Sequence, residues 1–216
     1  MKDRPIAIAR IVSVPFEENS YIARLEGHDD CVVVDPGLEP EKIIAHLDEN
    51  RLAPAAILIT HGHGDHIGGN AALRRRWPQA RIAIGRADAE KLLDARLNLS
   101  ATFGAAWVSP PADQLLQQGD VVSAAGLDLE VLAIPGHSTG HVVYLWRAGD
   151  PPLAFVGDVI FLGGIGRTDF PGGSFEQLVE GIRAKLFTLP DDTVLLPGHG
   201  PSTTVGREKR SNPFLQ

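Results

Sequence analysis

The chain has 216 residues, of which 44% are hydrophobic and 22% are charged, an ordinary composition for a globular protein large enough to bury a core. Its formal net charge of −7 provides no overall attraction for nucleic acid or anionic lipid, so neither is an expected partner. The single cysteine, Cys31, cannot form an internal disulfide and lies in an apolar run, where we expect a buried, unreactive thiol. The sequence shows no signal peptide and no membrane-spanning run, and we expect a cytoplasmic protein.

The first part of the chain predicts three strands and a helix. Apolar runs separated by turn residues predict the strands, at residues 5–14, 20–25 and 31–34. Residues 39–50 predict a helix, because Ile43 and Leu47 lie on one face and acidic residues occupy the first turn. His46 lies on the flank of that face and His28 lies in a turn, so we expect both side chains at the surface.

The remaining apolar runs continue the alternation of strands and helices. Their period and length predict strands at residues 55–60, 81–84, 121–133, 142–146, 153–156 and 194–196. Helices are predicted at residues 71–77, 87–93 and 174–187, the last with Ser174 as its N-cap. The pattern weakens at residues 97–111, and a loop of that length often forms a lid or a wall of a site. Mixed elements without an internal repeat or linker predict an α/β fold and one domain over residues 1–216.

A cluster of metal-binding residue types follows the strand at 55–60. His61, His63, Asp65 and His66 are interrupted only by glycines. Imidazole and carboxylate groups are the usual protein ligands of zinc, iron and manganese. Side chains alternate on an extended backbone, so His61 and His63 point to one side, while Asp65 and His66 turn away toward the place of a second ion. The alternative is a polar turn that merely contains histidines, which so dense a cluster makes the weaker interpretation.

Three later residues occupy the same kind of position in the chain as this cluster. His137, Asp158 and His199 each follow an apolar strand and a glycine-containing turn. Strand ends that meet at one edge of a sheet bring such residues to a common pocket. Each of the three taken alone is an ordinary turn residue, whereas all the groups together indicate a metal site.

Residues 60–66 resemble the T-H-x-H-x-D-H signature of the metallo-β-lactamase superfamily. The resemblance implies an αββα sandwich, in which two mixed β-sheets pack face to face between outer helices. It assigns one metal ion to His61, His63 and His137, and a second ion to Asp65, His66 and His199, with Asp158 bridging both. It therefore implies two divalent ions per chain, with zinc as the first candidate and iron or manganese as alternatives.

Further segments resemble the type II glyoxalases, or hydroxyacylglutathione hydrolases, of this superfamily. They are Asn19-Ser20-Tyr21-Ile22, Val34-Asp35-Pro36-Gly37, Gly157-Asp158 and residues 204–215. The resemblance is to the short, single-domain bacterial members, since the chain ends where longer members continue into a helical arm. It implies hydrolysis of a small-molecule thioester such as S-lactoylglutathione to a 2-hydroxy acid and a free thiol, by a hydroxide that bridges the metals. Asp65 and Asp158 are the implied catalytic residues.

Two departures from that family concern substrate binding. The chain has Gly200-Pro201 where longer glyoxalases carry an aromatic hydroxyl, and residues 166–170 replace a lysine-and-tyrosine segment. In the replaced segment, Arg167 is the candidate contact for a substrate carboxylate, because a guanidinium suits bidentate pairing. The alternative is that Asp169 or another carboxylate braces this arginine. The glycines at residues 163–166 predict a loop near the pocket.

An alternative function in the same superfamily is that of a persulfide dioxygenase, which uses a single iron. Residues 166–170 favour it, because such enzymes carry a similar Gly-Arg-Thr-Asp-Phe segment. The complete second set of ligands and the glyoxalase-like residues 204–215 favour the thioesterase. A non-catalytic metal-binding module is a third interpretation, and the complete ligand set argues against it. His141 is either a residue that supports a metal ligand or a packed core histidine.

Overall fold

A computed structural model describes residues 5–216, which form two six-stranded β-sheets and a small two-stranded hairpin. The strands of the first sheet lie in sequence order. They are β1 (Ile6–Ser13), β2 (Glu18–Leu25), β3 (Asp30–Val34), β4 (Ala53–Ile59), β5 (Arg81–Gly85) and β6 (Gln114–Leu116). Strands β1, β2 and β3 are antiparallel neighbours, whereas β3, β4, β5 and β6 run parallel to one another.

The second sheet is formed by later strands, with the small hairpin inserted in the chain. In chain order they are β7 (Val121–Ala124), β8 (Leu127–Ala133), β9 (Val142–Trp146), β10 (Leu153–Gly157), the hairpin strands β11 (Ile160–Phe161) and β12 (Gly164–Ile165), then β13 (Val194–Pro197) and β14 (Thr203–Thr204). The order in the second sheet is β14-β13-β10-β9-β8-β7. Only β10 and β13 are parallel neighbours in it, so both large sheets are mixed.

The helical segments are short. The α-helices are α1 (Pro40–Glu49), α2 (Gly64–Ile67), α3 (Asn70–Arg76), α4 (Phe175–Gly181) and α5 (Val205–Ser211). The segments Arg86–Leu92 and Ser100–Phe103 are 3-10 helices, and Ile182–Leu186 extends α4 as a π-helical turn. The side chains of Ser174 and Thr204 cap α4 and α5 by accepting backbone N–H bonds. Within residues 5–216, every helix is too short or too polar to cross a lipid bilayer.

Apolar side chains pack in three layers. Between the two sheets, residues such as Leu58 of β4 and Phe155 of β10 are fully buried against each other's sheet. On the outer face of the first sheet, α1 contributes buried side chains such as Leu47. On the outer face of the second sheet, α4 contributes buried side chains such as Leu178. Because each sheet is covered on both faces, its central strands are apolar almost throughout. The arrangement confirms the predicted αββα sandwich.

Three predicted elements differ in type from the observed ones. Residues 87–93, predicted as an α-helix, lie in a 3-10 helix, and the predicted helix 174–187 is an α-helix only to Gly181. Residues 163–166, predicted as a loop, include strand β12, with Gly163 at φ +70° in the turn of the hairpin. In each case tertiary packing outweighs the weak preference of a short local pattern.

Three predictions concerned individual side chains. Cys31 is fully buried, which confirms the predicted burial, and burial raises the pKa of its thiol to about 12. His28 and His46 lie at the surface as expected, each with part of its surface covered. His28 Nδ1 lies 3.2 Å from the Asp30 carboxylate, which holds the ring against the protein.

Candidate metal centre

Four strand ends converge at one edge of the sandwich. The residues that follow β4, β8, β10 and β13 include, in that order, His61, His137, Asp158 and His199. His63 continues the chain in an extended conformation, and α2 then carries Asp65 and His66. The structure thus brings together all seven residues for which the sequence predicts a metal-binding role.

The first group of candidate ligands consists of His61, His63 and His137, all of them buried. His137 Nε2 lies 3.2 Å from His61 Nε2 and 3.0 Å from His63 Nδ1. In a tetrahedral site with Zn–N bonds of 2.0–2.1 Å, neighbouring ligand nitrogens lie about 3.3 Å apart. The three ring nitrogens therefore have separations that suit a single ion.

The protonation of the first group also suits a metal. His137 Nδ1 lies 2.8 Å from the Arg167 carbonyl oxygen, which can only accept, so this nitrogen donates and Nε2 keeps its lone pair. His61 Nδ1 lies 3.1 Å from the Thr60 hydroxyl. Burial, reinforced for His61 by the neighbouring histidines, lowers the pKa of His61, His63 and His137. The rings are therefore held in the neutral form that binds metals.

The second group consists of Asp65, His66 and His199. Asp65 Oδ2 lies 3.7 Å from His66 Nε2 and 3.4 Å from His199 Nε2. The other ring nitrogens have partners: His66 Nδ1 lies 3.1 Å from Asp35 Oδ2, and His199 Nδ1 lies 3.0 Å from the Phe16 carbonyl oxygen. Both histidines thus turn Nε2 toward Asp65 and away from these partners.

Asp158 lies between the two groups. Its Oδ1 atom is 3.5 Å from His66 Nε2. Its Oδ2 atom is 3.5 Å from His199 Nε2 and 3.6 Å from His137 Nε2. One carboxylate therefore faces histidines of both groups, which is the position needed for a ligand shared by two ions.

Unpartnered buried atoms show that this donor set fits metal ions. Among the described residues, His66 Nε2 and Asp158 Oδ1 are buried without a hydrogen-bond partner. Leaving such an atom unpaired costs about 1–3 kcal/mol, and the facing lone pairs of the first group add repulsion. Cations held between the groups would satisfy these atoms. Imidazole together with carboxylate is a donor set that zinc, iron and manganese accept.

The two groups differ in their electrostatics. Burial by itself would lower the pKa of His66, but the carboxylates of Asp65 and Asp158 raise it well above its ordinary value. Burial would also lower the pKa of His199, but Asp158 and Asp65 again outweigh burial and raise that pKa. The carboxylates therefore favour positive charge on the histidines of the second group, whereas burial favours neutral rings in the first group.

Asp35 orients part of the second group. Its Oδ1 accepts the Thr60 backbone N–H at 2.7 Å, and its Oδ2 accepts the Thr60 hydroxyl at 2.7 Å as well as facing His66 Nδ1. This buried aspartate thereby positions the start of the histidine turn and one of its rings. The Asp-Pro-Gly signal in the sequence marks a turn, but it does not indicate these partners.

Asp88 ties together the two turns that carry the first group, at residues 61–63 and 137–141. Its Oδ2 accepts the backbone N–H of Gly62 at 2.9 Å, and its Oδ1 accepts the backbone N–H of Gly140 at 2.7 Å. Nothing in the sequence marks this role, because Asp88 lies in a segment that reads as an ordinary helix.

The charge of Asp88 is balanced within the same network. Lys91 Nζ lies 3.0 Å from Asp88 Oδ1, and the Ser138 hydroxyl donates to Oδ2. Burial would raise the pKa of Asp88, but Lys91 and the hydrogen bonds lower it to about 2. The carboxylate is therefore ionised at neutral pH although it is fully buried.

His141 and Gly198 support the segment around Asp158. His141 Nε2 accepts the backbone N–H of Asp158 at 3.1 Å, and its buried ring stacks on His61 at 4.7 Å between centroids. His141 is therefore packed in the interior and bonded to a candidate ligand at once. A Cβ atom at Gly198 would collide with the Asp158 carboxylate and the His66 ring, so the turn after β13 requires glycine.

A cavity of about 390 Å³ lies over the candidate ligands. Its apolar lining consists of Phe16, Leu99, Phe103, Trp107, Phe161, Ile165 and Phe170. Several of these belong to residues 97–111, so the segment predicted as a long loop does form a wall of the site. The cavity gives a small molecule access to Asp65 and His199, which are partly exposed.

Arg167 also lines the cavity, but its guanidinium has a partner. Its Nε and one terminal nitrogen lie 2.9 and 2.7 Å from the two carboxylate oxygens of Asp169. Its Cζ lies 4.4 Å from the centroid of the Phe170 ring. This is the bracing interaction of the alternative interpretation, and a contact of Arg167 with substrate stays a prediction.

The chain is similar to known proteins over most of its length. Residues 14–199 match the family model of the metallo-beta-lactamase superfamily. The chain is 42% identical over 202 residues to the probable metallo-hydrolase YqgX of Bacillus subtilis, with 93% of each chain covered. It is 40% identical over 208 residues to the hydroxyacylglutathione hydrolase GloC of Haemophilus influenzae, again with 93% of each chain covered.

Similar folds are found among solved structures. BLEG-1 B3 metallo-beta-lactamase has a TM-score of 0.92 and 35% identity, covering 97% of this chain and 100% of that chain. TTHA1623 in a di-iron-bound form has a TM-score of 0.84 and 35% identity, covering 96% and 100%. ETHE1 from Myxococcus xanthus has a TM-score of 0.76 and 30% identity, covering 96% and 83%.

The two-sheet sandwich with a histidine and aspartate cluster at one edge defines a protein of the metal-dependent hydrolase class. The match over residues 14–199 makes the assignment specific. The chain belongs to the metallo-β-lactamase superfamily.

Proposed function

We propose that the protein hydrolyses thioesters such as S-lactoylglutathione, with two divalent metal ions held by the seven candidate ligands. The observation that carries the proposal is the position of Asp158, which turns one oxygen toward His66 and the other toward His137 and His199. The 40% identity to GloC, a hydroxyacylglutathione hydrolase, supports the substrate class. Zinc is the first candidate metal, with iron and manganese as alternatives.

The reaction consumes one water molecule. The carbonyl carbon gains a hydroxyl, the carbon–sulfur bond breaks, and sulfur leaves as a thiol. Bound divalent ions would supply a Lewis acid and lower the pKa of water toward neutrality. The thiol product has a pKa of about 8–9, so its thiolate leaves without a dedicated general acid. This suits the described cavity lining, in which Arg167 is the only titratable residue besides the candidate ligands.

Asp158 and Asp65 are the proposed catalytic residues. Asp158 turns Oδ1 toward His66 and Oδ2 toward His137 and His199, so it would hold the ions of both groups in a fixed position for the attack by water. His141 holds the backbone of Asp158 in place for this role. Asp65 faces the cavity and keeps His199 Nε2 within 3.4 Å, which orients that ring for its part in the second group.

Metal analysis combined with a thioester assay tests this proposal. Metal-replete protein should contain two ions per chain and release free thiol and D-lactate from S-lactoylglutathione without consuming oxygen. Asp158→Ala should lose turnover, and Asp191→Ala is its matched control. Asp191 is exposed and pairs with Lys209 on α5, in the outer layer of the second sheet. That variant should keep wild-type turnover, whereas protein with full metal content and no thioester cleavage would overturn the assignment.

A persulfide dioxygenase is the second candidate. The observation that favours it is the position of residues 166–170, whose Phe170 ring lies 5.4 Å from the His63 ring and 5.9 Å from the His137 ring. Phe170 of this segment therefore lies beside two histidines of the first group. Iron-loaded protein given glutathione persulfide distinguishes the two functions. Rapid oxygen uptake without thioester cleavage would establish the dioxygenase, and we expect little uptake.

A further inference from the structure

The cavity has aromatic side chains beside both groups of candidate ligands. Next to the second group, the Phe16 ring lies edge-to-face with Phe103 at 5.1 Å and with Trp107 at 5.8 Å between centroids. Next to the first group, the Phe170 ring lies 5.4 Å from the His63 ring. A substrate held at the candidate ligands would thus contact apolar surface on more than one side, and burial of apolar surface favours binding.

Phe103 has the most open position in this apolar lining. It ends the short 3-10 helix Ser100–Phe103, and 63% of its surface is exposed. Large apolar side chains exposed at a cavity gain burial when an apolar group binds beside them. The edge-to-face contact with Phe16 fixes the ring in a position where a second aromatic ring could pack against it.

The same lining offers little to an anionic ligand. Glutathione carries two carboxylates, which a binding site normally pairs with cationic side chains. Arg167 is the only lysine or arginine among the described residues that line the cavity. Its guanidinium already pairs with both carboxylate oxygens of Asp169 and lies over the Phe170 ring. The ion pair leaves no net positive charge for a second carboxylate partner.

We propose that the preferred substrate is a thioester that carries an uncharged, aryl-sized group next to the scissile carbonyl, rather than the small lactoyl group on glutathione. This inference rests on the proposed thioesterase function and specifies its substrate class. The aryl group packs in the cavity against the apolar lining that includes Phe103 and Trp107, which replaces its water shell. The aryl group belongs either to the acyl part or to the thiol part of the thioester, and separate substrates distinguish these two cases.

Four thioesters separate the two sides. On the acyl side, S-mandeloylglutathione is compared with S-lactoylglutathione, since only a phenyl ring replaces a methyl group. On the thiol side, the lactoyl thioester of phenylmethanethiol is compared with that of N-acetylcysteamine, since both thiols are uncharged. We expect kcat/KM to be at least about tenfold higher for the aryl member of one pair. We also expect a KM for S-lactoylglutathione at or above ~1 mM, the top of the usual range.

A pair of variants links that preference to the cavity. Phe103→Ala should lower the aryl-to-methyl ratio of kcat/KM by at least about threefold, because it removes one aromatic contact. Phe214→Ala is the matched control, since Phe214 is 50% exposed and lies outside the cavity lining. That control should leave the ratio at its wild-type value. Equal kcat/KM for both members of each pair, or an equal effect of the two variants, would overturn the proposal.

A binding measurement separates this inference from the proposed function. Thioethers lack the scissile carbonyl, so S-benzylglutathione and S-methylglutathione can be titrated into metal-loaded protein by calorimetry without turnover. The benzyl compound should bind at least about tenfold more tightly. Thioester turnover without any aryl preference in rate or binding would refute the substrate class and leave the thioesterase intact. Tight benzyl binding without turnover of any thioester would refute the thioesterase and leave the apolar site intact.

Discussion

Asp88 Oδ2 lies 2.9 Å from the backbone nitrogen of Gly62, the residue between His61 and His63. The same carboxylate accepts the backbone N–H of Gly140 in the neighbouring turn. One side chain outside the candidate ligand set therefore fixes the relative position of the two turns that carry the first group. Residues that orient ligands in this way commonly change metal affinity when they are replaced.

The first prediction concerns Asp88→Asn and metal affinity. The amide keeps the shape of the side chain but loses the charge that pairs with Lys91. It can also accept fewer of the hydrogen bonds from the two turns. We expect the affinity of the first group for zinc to fall roughly 10–100-fold, measured by competition with a chromophoric chelator. Asp191→Asn is the control for removing an exposed carboxylate, and an equal loss in that variant would refute the positioning role.

The second prediction concerns the pH dependence of stability in the metal-free protein. The pKa of Asp88 is about 2 in the folded protein, below the value of about 3.9 for an unfolded aspartate. A lowered folded-state pKa contributes stability above the unfolded pKa and loses it as the pH falls toward the folded pKa. The contribution is about 2.6 kcal/mol near neutrality and is largely lost between about pH 4 and pH 2. The difference in unfolding free energy between the wild-type and Asp88→Asn proteins, measured by denaturant titration, should therefore fall by about half between pH 6 and pH 3. A difference that stays constant would contradict the linkage.

The third prediction concerns Asp158→Ala. Removing the carboxylate that faces both groups should weaken the loading of both ions and lower turnover of S-lactoylglutathione by several orders of magnitude. Elemental analysis of the variant after loading with excess metal and removal of unbound ions should show fewer than two ions per chain, against two for the wild type. Fully active wild-type protein with a single ion per chain would count decisively against the shared position of Asp158.

The fourth prediction uses Arg167 and Asp169 as a pair. Because Asp169 neutralises the Arg167 guanidinium, Arg167→Ala should change the KM for S-lactoylglutathione by less than about threefold. Asp169→Ala releases the guanidinium beside the cavity and should lower that KM, since a free arginine can pair with a glutathione carboxylate. Steady-state kinetics with S-lactoylglutathione measure the KM of both variants. A rise in KM with constant kcat in Arg167→Ala would show instead that Arg167 already anchors the substrate.

The fifth prediction concerns metal removal. Bound ions would satisfy His66 Nε2 and Asp158 Oδ1, which otherwise stay buried without partners. A ligand that binds only the folded state stabilises it by about 2.7 kcal/mol at 100 times its Kd. The Tm of metal-loaded protein should accordingly fall by several degrees on dialysis against chelator and recover when zinc is restored. A Tm that does not respond to chelator would show that no ion binds between the two groups.

The sequence by itself determined the parts of this protein that depend on local pattern. Apolar runs of strand length, each followed by a turn, predicted ten of the fourteen described strands, and the short strands β6, β11, β12 and β14 were missed. The dense cluster His61, His63, Asp65 and His66 predicted chemistry as well as position, because few residue types bind metals and four such residues share one turn. His137, Asp158 and His199 were predictable because ligands at strand ends gather at one edge of a sheet.

Only the tertiary structure decided the contacts between segments distant in the chain. Asp88 looks like any acidic residue in a short helix until the fold brings it against Gly62 and Gly140. Phe103 and Trp107 belong to a weakly patterned segment, and their place over the site follows from packing against Phe16. Such contacts join residues far apart in sequence, so no local period or spacing records them. The physical reason is that a local pattern determines which groups a strand end or turn presents, whereas long-range packing determines what those groups face.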